Sequence, residues 1–252
     1  MNKYSRDLHI IVNEWQIGQG CRMILNARQS LTLRPALHHL EIYDLSDSSA
    51  AMLSGSSHLE VVSGKSILSA GEITEVYTRR ISGKRLTSIV FSPGYSLWQS
   101  SVSLSLSSGL KVSDTIRALL SASETQLPLA AYVAPDPVLS RPQAFFGRTC
   151  DALTCLAETA DADIFTSSAG VCVSGRQARD PQAVLPEKDL LSEPVRTGSR
   201  LIVNTAMMGW LPGMVIQVKW KGTAQTGRIV SALIQADNVS GPWKSELELE
   251  LF

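Results

Sequence analysis

"GEITEVYTRRISGKRLTSIVF", residues 71–91, decides the fold class. Ile73, Val76, Ile81, Leu86, Ile89 and Phe91 flank Ser82-Gly83-Lys84, a turn signal between two β-branched runs, and the stretch reads as a hairpin. Its neighbours share that character. "LHIIV" (8–12), "CRMILNA" (21–27), "SLTL" (30–33), "LHHLEIYDL" (37–45) and "HLEVVSG" (58–64) are short, often alternating, and separated by Gly, Asn, Asp or Ser. So many short strands within residues 7–94 imply a sandwich or barrel.

Pro93 and Gly94 in "SPGYSLWQSS" (92–101) break the pattern and mark a boundary. Beyond it "VSLSLSSGL" (102–110) alternates, and "SDTIRALLSA" (113–122) puts Ile116, Leu119 and Leu120 on one helical face with Ser113 as the expected cap. Pro128, Pro135, Pro137 and Pro142 exclude a long helix over 127–142 and favour an extended connection. In "TCDALTCLAETADAD" (149–163) apolar residues recur at helical spacing behind Thr149, and "DIFTSSAGVCVSG" (163–175) gives two strands around Ser-Ala-Gly. The C-terminal part returns to β. Leu211-Pro212-Gly213 reads as a turn, "MVIQVKW" (214–220) and "TGRIVSALIQAD" (226–237) as strands, and "KSELELELF" (244–252) as a third strand with Leu247, Leu249 and Leu251 on one side and Glu246, Glu248 and Glu250 on the other. Trp98, Trp210, Trp220 and Trp243 read as core residues before interface anchors. The fold class is α+β, mostly β, divided into residues 1–94, an α+β middle portion 95–180, and a β region 181–252.

Composition narrows the function classes. The 252 residues are 44% hydrophobic and 18% charged, and 23 basic against 23 acidic side chains cancel without a run of like charge. A grip on nucleic acid through six to ten phosphates would leave a basic patch, whereas "RRISGKR" (79–85) reads as strand end, turn and strand start. The first residues form neither a signal peptide nor an anchor, and no window is long and apolar enough for a membrane span. Cys21, Cys150, Cys155 and Cys172 lack a CxxC pair and read as small core residues. His9, His38, His39 and His58 all lie in the first quarter, which leaves no metal-ligand spacing. No phosphate loop, dinucleotide fingerprint, nucleophile elbow or zincin motif is present. The Ser and His of "LSGSSH" (53–58) share a polar loop, and Glu14, Asp44, Glu72 and Glu75 are the carboxylates available to a glycosidase, of which Glu72 and Glu75 read as solvated strand charges. No catalytic, cofactor-binding or metal-ligating residue is assigned.

In their order along the chain, "RDLHIIVNEWQI" (6–17), "GKRLTSIVFSPGYSLWQSS" (83–101), "GLKVSDTIRALL" (109–120), "ALTCLAETADADIFTSSAGVCV" (152–173), "LPGMVIQVKW" (211–220) and "GRIVSALIQADNVSGPWKSELELEL" (227–251) resemble the baseplate hub proteins of contractile-tailed phages, the late control protein D and Mu-like hub group. The resemblance spans nearly the whole chain. It implies tail-tube-like antiparallel β-barrel or sandwich domains, the first over 1–94 and the second, or the completion of the hub, over 181–252. It further implies a homotrimer in the virion tail baseplate, made in the host bacterial cytoplasm and seated among other baseplate proteins. Its partners would be the hexameric tail tube protein and the trimeric central spike protein, with DNA passing through the lumen without specific binding. A near-zero net charge suits a conduit of that kind. The rival readings are a peptidoglycan-degrading tail-associated enzyme and a stand-alone β-barrel binding module.

Overall fold

The computed structural model describes residues 6–252 apart from 124, 126 and 178. The chain runs β1 (His9–Val12), β2 (Trp15–Ile17), β3 (Met23–Ser30), β4 (His38–Tyr43), α1 (Asp47–Ser54), β5 (His58–Ser63), β6 (Ser66–Ile81) and β7 (Lys84–Ser92). Next come α2 (Tyr95–Gln99), β8 (Ser101–Leu106), α3 (Val112–Ala122), β9 (Leu129–Val133), β10 (Gln143–Arg148), α4 (Thr149–Thr159), β11 (Ala162–Ser167) and β12 (Gly170–Gly175). The last part holds β13 (Ala183–Leu185), β14 (Val195–Thr197), β15 (Arg200–Thr205), β16 (Val215–Trp220), β17 (Thr223–Asp237) and β18 (Trp243–Leu251). Two compact units result. One contains the described residues through Ser30 with Ala36–Ser92 and Asp180–Phe252, the other Leu31–Pro35 and Pro93–Arg179.

In the first unit the strands join in the order β14-β15-β18-β17-β3-β4-β7-β6-β5-β1-β2, with β16 and β13 branching from β17. The ladders are antiparallel apart from β13–β16. Residues 181–252 thus belong to the same unit as residues 36–92, through β17. That strand is 15 residues long. Its start pairs with β16 and its end with β3, while β18 follows its other edge from Gly227 to Ala236. Between Ile229 and Ser231 the β17–β18 register slips by one residue. Such a bulge bends a strand and raises its local twist, and here it falls where β17 changes partners. Gly227 makes the approach to β18 possible, since a Cβ there would lie 2.7 Å from the Glu250 carbonyl oxygen.

Alternation sends one set of side chains from these strands to a single side of the sheet. Met23, Leu25, Ala27, Leu40, Ile42, Ile89, Phe91, Ile234, Ala236 and Trp243 enter one core, roofed by Ala50 and Leu53 of α1. Leu201, Val203, Ile216, Val218, Ile229, Ala232, Leu247 and Leu249 form another with Trp210. Trp243 and Trp210 are therefore core, as expected; Trp98 is half-buried and packs against the second unit's core, whereas Trp220 is half-buried at the surface. Arg148 lies 5.6 Å over the ring of Trp98, and Lys221 5.2 Å over that of Trp220. The "SLTL" strand does not form past Ser30. Thr32 Oγ1 instead accepts the backbone N–H of Arg34 just before Pro35, a local bond that competes with a ladder, and Leu33 packs in the second unit's core. The turn of the 71–91 hairpin is two residues long. Ser82 and Gly83 both hold positive φ, 50° and 81°, and Lys84 already pairs with Ile81. This geometry matches the right-handed strand twist.

The second unit packs α3 and α4 against a β8–β10 ribbon and a sheet ordered β11-β12-β9, in which β9 joins β12 in parallel. Neither expected cap residue acts as one. Lys111 and Arg148 precede the two helices without side-chain cap bonds, and Ser113, the second residue of α3, donates its N–H and hydroxyl to Asp136 at 2.9 and 2.8 Å. A carboxylate from the Pro-rich segment thus fills the place of a local cap. Of the cysteines, Cys150 is buried, but Cys155 is exposed on α4, contrary to its reading as core.

His38 sits at the bottom of the first core, fully buried and edge-on to Phe91 at 5.2 Å. A carbonyl only accepts, so Nε2 donates to Arg28 O at 2.8 Å and Nδ1 accepts from the Ser69 hydroxyl at 2.6 Å. Burial drives its pKa from 6.5 down to about 4, against the Arg28 carbonyl, which would raise it, and with a smaller lowering contribution from His39. Below pH 6.5 the unfolded chain takes up a proton that the folded chain refuses, so stability falls as pH drops from 6.5 to about 4 and then levels. The loss attributable to this group is about 3 kcal/mol. Urea unfolding of His38→Gln and the parent at pH 7 and pH 4 should show a smaller pH dependence in the variant; equal pH dependence would contradict it.

Candidate assembly surface

The side chains alternate to the sheet's opposite face, which is built across eight adjacent strands from β14 to β6. Register defines its rows. Ile202, Glu248, Ser231 and Ser30 follow one another across β15, β18, β17 and β3. Lys244, Gln235, Asn26, His39, Val90 and Glu75 form a row from β18 to β6, and Asp237, Ile24, Glu41, Ser88 and Tyr77 the next. Charges on this face are largely compensated. Arg200 and Arg228 pair with Glu248 and Glu250 at 3.5 and 3.1 Å, and Ser231 donates to Glu248. A field of single sign does not develop across it. Chemically the face offers dispersed polar contact with isolated apolar side chains.

One border of the sheet is open. β5 pairs with β6 only as far as Glu72, and among the described residues no strand follows the remaining edge from Thr74 to Ile81, which β7 supports from the other side. Tyr77 and Ile81 are exposed there, with Arg79 5.9 Å over the Tyr77 ring. An unpaired edge of this length is a template for another chain, and Arg79, Arg80, Lys84 and the bulge at Thr74 limit indiscriminate pairing. "RRISGKR" is accordingly the tip of a projecting hairpin.

The residues weighed for catalysis do not converge. Ser54 Oγ donates to the Ala50 carbonyl at the end of α1, while exposed His58 begins β5. The loop expected around residues 53–58 is thus partly helix. Glu14 lies in the β1–β2 turn, and Asp44 accepts the Arg85 N–H. Glu72 and Glu75 are brought to one side of β6 by the bulge at Thr74, where they flank the open edge.

A polar clasp holds the end of β17 against the start of β3. Asp237, 2% exposed, accepts Arg22 at 2.6 Å through one oxygen and the N–H groups of Val239 and Ser240 through the other. Asn238 exchanges bonds with the Cys21 carbonyl and the Met23 N–H. Burial would raise the Asp237 pKa, but Arg22 and the two backbone donors hold it below the usual carboxylate range. Arg22 also lies over the Tyr43 ring. Sequence reading missed this clasp because its partners are some 215 residues apart.

The sequence matches no protein-family model and no curated protein. Solved structures do share the architecture over nearly the entire chain. A tail protein from Neisseria meningitidis MC58 is 14% identical, with a TM-score of 0.72 over 97% of this chain and 96% of its own. The 43 kDa tail protein of prophage MuSo2 from Shewanella oneidensis is 9% identical, with a TM-score of 0.71 over 96% of each chain. The c3393 protein of E. coli, a type VI secretion component described as similar to the T4 tail proteins gp27 and gp5, is 10% identical, with a TM-score of 0.65 over 96% of this chain and 76% of its own. The chain has the mostly β fold of these tail proteins. Replacing Asp237 by Ala would leave Arg22 and two loop N–H groups without their acceptor, and should cost about 2–4 kcal/mol in chemical unfolding; a loss under half a kcal/mol, roughly that of an exposed ion pair, would contradict the clasp's role.

Proposed function

We propose that this chain is a structural subunit of a phage tail baseplate, in which three copies form a hub ring between the hexameric tail tube and the trimeric central spike. The observation that carries the reading is the pair of β cores lying on one side of one sheet and sharing β17. Two β cores per chain, taken three times, would offer six places to a sixfold tube while keeping a threefold axis for the spike. Similarity of fold to phage tail proteins over the full chain supports the same role. The open edge of β6 supplies a surface for sheet continuation between neighbours, the kind of backbone contact that a permanent ring uses. On the open face the compensated charge suits a conduit wall that DNA passes without being held.

Catalysis has no part in this reading. The residues considered for it lie on a hairpin, a turn and a helix end, without a shared cleft. Sedimentation or light scattering of the purified protein should give three times the 27.3 kDa chain mass, and the protein should leave purified cell walls intact. A stable monomer at high concentration, or release of soluble wall fragments, would contradict the proposal.

A further inference from the structure

Three ladders of the first unit run out at one corner. The β3–β4 pairing ends at Asn26 and His39, the β4–β7 pairing at His38 and Phe91, and the β6–β7 pairing at Glu72 and Ser92. Just beyond these ends the chain leaves the unit, after Ser30 and again after Ser92, and it re-enters at Ala36. His38 stands in the corner, and its ring ties strands together where the ladders have stopped. It joins β4 to the Arg28 carbonyl, two residues beyond the last β3–β4 pair, and to Ser69, three residues beyond the last β6–β7 pair.

The surroundings of the ring suit its neutral form alone. Alternation turns Arg28 on β3, His39 and Glu41 on β4, His58 and Glu60 on β5, and Glu72 on β6 to the sheet face opposite His38. Asp47 of α1 is exposed and paired with Arg85. A protonated imidazole donates at both nitrogens, so the Ser69 hydroxyl would lose its acceptor, and a charge would stand beside Phe91 at 5.2 Å. A second polar group is already unmet here. Gln29, the inward side chain next to Arg28, is 4% exposed, and its Oε1 has no hydrogen-bond partner among the described residues. Opening the corner admits water to both groups, which concentrates the response to acid at this place.

We propose that this corner is an acid-released latch: a proton on His38 opens the adjoining ends of β3, β4 and β7, where the chain passes out of the first unit, while the β15–β18 ladder stays closed. The open form takes up the proton that the closed form refuses, so opening deepens as pH falls from 6.5 to about 4 and then levels. The device is built within one chain and does not depend on the ring.

Hydrogen exchange of the full chain, corrected for the intrinsic rate at each pH, is the test. Between pH 7 and pH 4.5 the amides of residues 27–30, 36–40 and 89–92 should lose protection roughly 50-fold, while residues 201–205 and 247–251 change little. In His38→Gln, which has no ionisable ring, the two regions should respond to acid alike. The parent profile decides by itself if that variant does not fold. Protection lost evenly over both regions, protection lost in neither, or an acid response at the corner that survives in His38→Gln would overturn the latch.

Discussion

The first unit depends on β17 serving two sets of neighbours. Backbone groups along one strand edge can satisfy one partner at each point. β17 is long enough to give its start to β16 and its end to β3, and β18 secures the opposite edge across the junction. The slip between Ile229 and Ser231 bends the strand where the partner changes, and Gly227 lets the two backbones close up. As a result the two apolar cores lie on the same side of one sheet. Trp243, from the C-terminal strand, packs in the core built largely by the first ninety residues. Cutting the chain after residue 180 would therefore expose an edge of β3 and remove Trp243, Ile234 and Ala236 from the core that the first ninety residues largely build.

Strand character was legible because it is a local property. In "KSELELELF" the period of two is unbroken, and Leu247 and Leu249 are buried while Glu246, Glu248 and Glu250 are not. The 71–91 hairpin was equally open to reading, down to Ser82-Gly83. Alternation specifies a face, however, and not a neighbour, so nothing in "TGRIVSALIQAD" announces that its two halves pair with different strands. Short elements were hidden for a related reason. α1 buries just Ala50 and Leu53, too few for a helical period to stand out, and "QAFFGR" places two aromatics in succession, which obscures which one turns inward. The capping of α3 by Asp136 and the Arg22–Asp237 clasp are contacts across sequence distance, which no window of residues contains. Absence of a catalytic constellation in the sequence gave no positive sign of a surface. The surface emerges from register, once eight strands are set side by side.

The same arrangement links fold to the proposed role. A sheet whose one side is sealed by two cores turns its polar side chains to the other, where Arg200–Glu248 and Arg228–Glu250 pair across strands. Paired charges keep the face solvated without creating a field that would retain a polyanion. From Thr74 to Ile81 the β6 edge adds a row of backbone groups that no described strand pairs.

The most direct measurement is a reconstruction of the native particle at a resolution that traces this chain. Three copies should encircle the tail axis at the level where tube gives way to spike, with the open face of the β14-to-β6 sheet turned toward the channel. A single copy, or copies set away from the axis, would contradict the hub.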